Sequence, residues 1–198
     1  MSLTSLGDVA LTPIGPVTLN AVADAHIDQP DPNTNKGLDA LLPILSGVGF
    51  NHRALLMFDL SPLAGVPSIT SAILSIYYSS EIAGVAGQIV EVDPVTSKDW
   101  TELGATWNSR ITPALPWITP GGDFTTALQA LAVFPAAAGV FIQFDVTSYV
   151  NALLAAGDLS FEMLLKFQVD NQSPTTGAWM IGREFVDPAR RPVLVVQP

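Results

Sequence analysis

The 198-residue chain predicts an all-β fold: an antiparallel β-sandwich, jelly-roll-like, with one short α-helix at about 146–156. Three observations point there. Short apolar runs, most alternating with small or polar residues, recur along the chain at strand length. Clusters of Pro, Gly and Asn separate them, drawn from 16 prolines and 15 glycines. One stretch departs from the two-residue period and takes helical spacing instead.

Residues 1–20 mix small, polar and proline residues and read as an extended arm or linker, leaving 21–198 as a single β-sandwich domain. "VADAHID" (22–28) alternates and runs into the turn-rich "QPDPNTNKG". "ALLPI" (40–44) carries Pro43, which demotes it to an edge position. "RALLMFDL" (53–60) and "SITSAILSIYY" (68–78) are clearer strands; in the second, Ala72, Leu74, Ile76 and Tyr78 share one face. "GQIVEVDPV" (87–95), "GVFIQFDV" (139–146), "SFEMLLKFQV" (160–169), "GAWMIGREF" (177–185) and "RPVLVVQ" (191–197) complete the set. In "DVTSYVNALLAAGD", Val146, Tyr149, Val150, Leu153 and Leu154 recur at helical spacing, with Asp145 or Thr147 to cap the start and Gly157 to end it.

Composition excludes several function classes. A formal net charge of −10 with eight Lys and Arg repels nucleic acid and anionic membranes. The chain has no cysteine, so disulfides, zinc–thiolate sites and thiol catalysis are absent together. The longest apolar stretch, 127–144, is interrupted by Pro135 and Gly139 and reads as a loop feeding a buried strand, not a membrane span. The N-terminus lacks the basic start and apolar run of a secretion signal.

No nucleophile, phosphate-loop or zinc motif is present, and His26 and His52 stand outside any such pattern. Asp24 with Asp28, or Asp99 with Glu102, are the carboxylate pairs available for acid–base work, but acids beside turns are more often capping or solvated, so no enzyme is expected. Asp28, Asp31, Asn33 and Asn35 offer oxygens that suit calcium. They lack the spacing of a helical calcium loop and read as Asx turns satisfying their own amides. No cofactor is therefore expected, with a structural calcium as the alternative. Trp100, Trp107, Trp117 and Trp179 could stack on sugar rings, although core packing is the expected role of Trp100 and Trp107. Trp107 should plug one end of the sandwich, with Thr106 and Asn108 making local backbone bonds.

The order of "PNTNKG", "DLS…ITSAILSIY", "DWTELGATWNSR" and "GREF…RPVLVV" across residues 22–197 resembles the DNRLRE-domain family, β-sandwich modules related to disaggregatase repeats and some carbohydrate-binding modules. The residues that carry the likeness are Asn33, Asn35, Gly37, Trp100, Trp107, Asn108, Arg183 and Glu184. Lys36 stands where the family tends to have an aromatic residue, and the span between Trp107 and Phe141, with the proline-rich segment 112–123 inside it, is longer than the family pattern. Such an insertion is expected to protrude and carry contacts, which makes Trp117 and Asp123 the candidate ligand or partner residues.

The resemblance implies a non-catalytic module for adhesion, glycan binding or surface-layer structure. The chain begins at Met1, holds one module and ends at its last strand, with a mean hydropathy of +0.39. From these features a virion component is expected, such as a phage capsid-decorating or tail-associated protein, homo-oligomeric and meeting capsid or tail proteins through the arm and the 111–124 loop. The alternative is a carbohydrate-binding module of a secreted or cell-surface protein.

Overall fold

The computed structural model describes residues 15–198. Twelve strands and one helix follow in chain order: β1 Val17–Asp28, β2 Leu41–Ser46, β3 His52–Asp59, β4 Ser71–Ala83, β5 Ile89–Pro94, β6 Ser109–Ile111, β7 Leu115–Pro116, β8 Ala130–Val133, β9 Val140–Asp145, α1 Thr147–Ala156, β10 Ser160–Phe167, β11 Thr176–Ile181 and β12 Val193–Gln197. Every pairing between them is antiparallel. The protein is an all-β sandwich.

One layer is built on β4, which pairs with β9 along one side and shares the other between β12 and β11, with β2 beyond β11. The second layer runs β1–β3–β10–β5–β8. β1 belongs to both. Its residues Val17–Asn20 pair with β12, and after a register shift between Ala21 and Ala23 the strand continues along β3 to Asp28. A bulge at the point where a strand changes layer turns the corner of the sandwich.

Alternation decides which face of each strand is buried. Ala72, Leu74, Ile76 and Tyr78 of β4 face inward, as their spacing predicts, against Leu56 and Phe58 of β3 and Phe161, Met163 and Leu165 of β10. Each such side chain stabilises the fold by roughly 1.5–3 kcal/mol relative to exposure. The helix lays Tyr149, Val150 and Leu153 on this core, and Tyr149 meets Phe161 at 5.3 Å. Gly157 closes the helix with φ 69°, a left-handed conformation that glycine takes without a Cβ clash. Asp145 holds its start, accepting from the amide of Thr147 at 3.0 Å and its hydroxyl at 2.6 Å.

Several elements differ from the sequence reading. The expected arm lies outside the described residues up to Ile14; of its remainder, Val17–Asn20 are part of the sheet because β12 offers them an open edge. The 127–144 stretch holds a strand, β8, before the turn at Pro135, and the start of the proline-rich segment supplies β7, which pairs back on β6 as a small hairpin. β2 pairs fully with β11, and its other side meets β3 only at Leu45↔His52, so Pro43 sits in a strand that is open on one side. The strand expected over 177–185 stops at Ile181, where the chain turns and the Arg183 amide donates to Asp24. Among the described residues no helix is long and apolar enough to cross a membrane.

Candidate functional site

The residues that mark the motifs converge on one corner. Asn35 donates through its side-chain amide to the carbonyls of Glu102 at 2.7 Å and Ala105 at 2.8 Å. Gly37 donates to Asn35 Oδ1, and a Cβ at Gly37 would overlap the Glu102 carbonyl, so the turn and the corner fit only without a side chain there. Asn108 donates to Asn33 Oδ1 at 2.9 Å, tying the turn to the corner a second time; its partners are distant in sequence, not local as expected. Thr106 does bond locally, accepting from the Ser109 amide at 3.0 Å.

This corner covers the outer face of the β1–β3–β10 layer. Trp100, Trp107 and Trp117 pack there with Ala105 on Ala25, Ile27, Leu55 and Leu164, a second apolar cluster separate from the main core. Trp107 lies under the Arg53 guanidinium, 5.0 Å from its ring centroid, and Arg53 also reaches the Gly121 carbonyl at 2.7 Å. Trp107 therefore seals a sheet face, where the plug of an open end was expected.

Trp117 and Asp123 do not stand on a protruding loop. Trp117 is 4% exposed and donates its indole N–H to the Thr106 carbonyl at 2.8 Å, so its ring faces are covered by protein. Asp123 is equally enclosed and accepts from the amides of Ile118 and Thr119 and the hydroxyl of Ser97. Burial opposes its ionisation, but these three bonds prevail and hold its carboxyl below the usual range. Both residues clamp the loop onto the sheet. The insertion folds back because its own tryptophan finds apolar surface to cover.

Behind the corner lies a carboxylate cluster. Arg183 Nη1 is 2.7 Å from both Glu102 and Glu184, and Asp24 accepts from the Arg183 amide at 2.6 Å. Oxygens of Asp24, Glu102 and Glu184 lie within 4.8 Å of one another, a set of hard donors that could hold a cation. The Arg183 guanidinium already supplies the positive charge at that spot. Burial pushes the Asp24 carboxyl up to about 8, the Arg183 amide opposing and Glu184 and Glu102 adding to the rise. Asp24 therefore holds its proton more tightly than an ordinary carboxyl. The calcium candidates in the preceding turn are engaged elsewhere: Asp28 accepts from the Asp31 amide, Asp31 from Thr34, and Asn33 and Asn35 serve the corner.

A groove of about 500 Å³ opens beside the Leu45↔His52 bridge. That volume suits a small ligand or one or two sugar rings. Trp179 of β11 is 36% exposed there, because Ala178 and Met180 on either side of it point into the core. Leu41 and Pro43 extend its apolar wall, and His26, His52 and Asp39 supply polar groups. The two imidazoles are stacked, with centroids 6.5 Å apart and 19° between planes. His26 lies 3.6 Å from Asp28 and 3.7 Å from Asp39, beyond hydrogen-bond reach of either. The Nδ1 atoms of both histidines are buried without a partner. Burial drives the His26 imidazole down to about 4 despite the neighbouring Asp28 charge, and burial also lowers His52. Both rings are neutral at pH 7, each able to donate and to accept.

Sequence reasoning named Trp179 and both histidines without assembling them. Strand parity in "GAWMIG" was the available signal: with Ala178 and Met180 inward, Trp179 must face out. Nothing in the sequence could bring β1 and β3 beside it.

Trp179 thus presents a partly open aromatic face in a groove with polar residues in its lining. Residues 15–178 match the profile of carbohydrate-binding module family 96, and the chain belongs to that family. The match confirms the carbohydrate-binding-module-like kinship but carries this family's name, not that of the DNRLRE domain. The closing "GREF…RPVLVV" segment lies beyond the matched residues. A comparison with curated proteins finds no match.

Proposed function

We propose that this chain is a non-catalytic carbohydrate-binding module and that the groove at Trp179 is where it holds a glycan. The family membership supports the first half, and it favours the binding-module alternative over a capsid or tail role. The observation that carries the second half is Trp179 itself. Among the four tryptophans its face is the one open to solvent, in a groove that Asp39 also lines. A pyranose presents axial C–H bonds on its faces and hydroxyls at its rim. The indole takes the face and Asp39 accepts from hydroxyls at the rim. The setting that goes with such a module is extracellular or at the cell surface, as part of a glycan-attached assembly.

Affinity electrophoresis through gels containing soluble polysaccharides tests the reading. The protein should be retarded by at least one glycan, and Trp179→Ala should restore free mobility with its thermal unfolding nearly unchanged. Retardation that survives Trp179→Ala would remove the groove from the account.

A further inference from the structure

We infer that Asp24, Glu102 and Glu184 form a calcium site, in which Arg183 holds one side of the three carboxylates and the ion holds the other. None of the three lines the groove at Trp179, so the site stands whatever the groove binds.

The carboxylates come from three separate parts of the chain. Asp24 belongs to β1, Glu102 to the corner that bears Trp100 and Trp107, and Glu184 to the turn after β11. Each uses one oxygen within the protein. Asp24 Oδ2 accepts from the Arg183 amide. Glu102 Oε1 accepts from the Asp24 amide at 3.0 Å and from Arg183 Nη1, and Glu184 Oε1 accepts from the same Nη1. The second oxygens are left over. Asp24 Oδ1 and Glu184 Oε2 are buried with no hydrogen-bond partner, and Asp24 is fully enclosed at 0% exposure. The Glu184 carboxyl stands at hydrogen-bonding range of Asp24, so these oxygens face one another inside the cluster. An acceptor so enclosed has given up its water, and only a proton or a cation can replace it.

The charge count and the donor chemistry favour a divalent cation. Among the described residues Arg183 is the one cation in an ion pair with any of the three. Three ionised carboxylates against one guanidinium leave two negative charges uncompensated. The donors are all oxygen, which suits calcium or magnesium and not zinc or copper. Oxygens of the three lie within 4.8 Å of one another, which fits one ion with bonds of about 2.3–2.6 Å. Calcium accepts an irregular shell of about six to eight oxygens. Magnesium demands a near-regular octahedron, which a trio already tied to a guanidinium is poorly placed to supply. The Glu102 and Glu184 side chains are 19% and 21% exposed, so the ion has a path in and water can complete its shell. Bound there, it pins β1, the corner and the closing segment together.

Calorimetric titration of CaCl2 into the whole protein, stripped with a chelator, tests this, with MgCl2 titrated in parallel. The expected result is one calcium per chain with a Kd of about 10⁻⁴ M or tighter, at least about tenfold below that for magnesium. The melting midpoint should be about 5 °C or more higher in about 10 mM CaCl2 than in EDTA. Glu184→Gln should weaken calcium at least about tenfold and shrink the midpoint difference, whereas Asp31→Asn should change neither. Calcium binding that survives Glu184→Gln undiminished overturns the site, and its loss in Asp31→Asn would place it in the turn after β1 instead. Tighter binding of magnesium overturns the choice of ion. No heat and no midpoint shift up to about 10 mM calcium overturns the inference and leaves Arg183 as the cluster's whole countercharge. Should Glu184→Gln not fold, Glu102→Gln is read in the same way, and the titration of the unaltered protein decides binding in either case.

Discussion

Asn35 holds Glu102 from 67 residues away, its side-chain amide bonded to the Glu102 carbonyl at 2.7 Å and to Ala105 at 2.8 Å. One asparagine thereby fixes the turn after β1 to the corner that bears Trp100 and Trp107. Replacing it with Ala leaves two carbonyls without partners in a part-buried site. Asn35→Ala should therefore destabilise the fold by about 2–4 kcal/mol, read as the shift in urea midpoint. A loss below about 0.5 kcal/mol would mean that water replaces the amide and the tie is incidental.

The four tryptophans should divide three to one. Trp107→Ala removes a side chain packed on Leu55 and Leu164 under Arg53 and should cost about 3–5 kcal/mol, with Trp117→Ala close behind. Trp179→Ala should cost about 1 kcal/mol or less, since its ring is partly open. Equal costs at all four positions would contradict the division between sealed and presented rings.

Stability should fall as pH rises from about 6.5 to 8. Burial raises Asp24 to about 8 and Asp93 to about 7, in the second case with Glu91 adding and Lys166 opposing. Both bind a proton when folded that they release when unfolded above their ordinary range, so the folded state loses ground with rising pH until they ionise. His26 acts the other way: its imidazole is lowered to about 4, and its contribution grows from about pH 4 to 6.5 and is complete above that. The two trends oppose each other at acid pH, and the carboxyls alone act above 6.5. Urea midpoints should decline from pH 6.5 to 8 and level off by 9, and Asp24→Asn should flatten the slope. A rising midpoint over that range would sink the assignment.

The sequence made the layers legible wherever one face of a strand was apolar. Ala72, Leu74, Ile76 and Tyr78 declared the buried face of β4, and the helical stripe from Tyr149 to Leu153 with Gly157 declared α1. It failed where apolar character had a different destination. Trp117 in a proline-rich insertion looked exposed because the surface that covers it, Ala25 and Ile27, belongs to β1, 90 or more positions earlier. The groove failed for the same reason. His26, His52 and Trp179 sit on three strands, and the β1–β3 pairing, the β2–β11 pairing and the single β2–β3 bridge together bring them to one opening. Strand pairing over long separations leaves no local trace.

The groove assignment is tested most directly by the indole N–H signals of the protein in a nitrogen–proton correlation spectrum, followed while a retained glycan is titrated. Four indole signals are expected, one per tryptophan. The account predicts that Trp179 shifts progressively and saturates with the glycan, while Trp100, Trp107 and Trp117 stay in place. A saturating shift at Trp117 with Trp179 unmoved would contradict it and return recognition to the loop that the fold has buried.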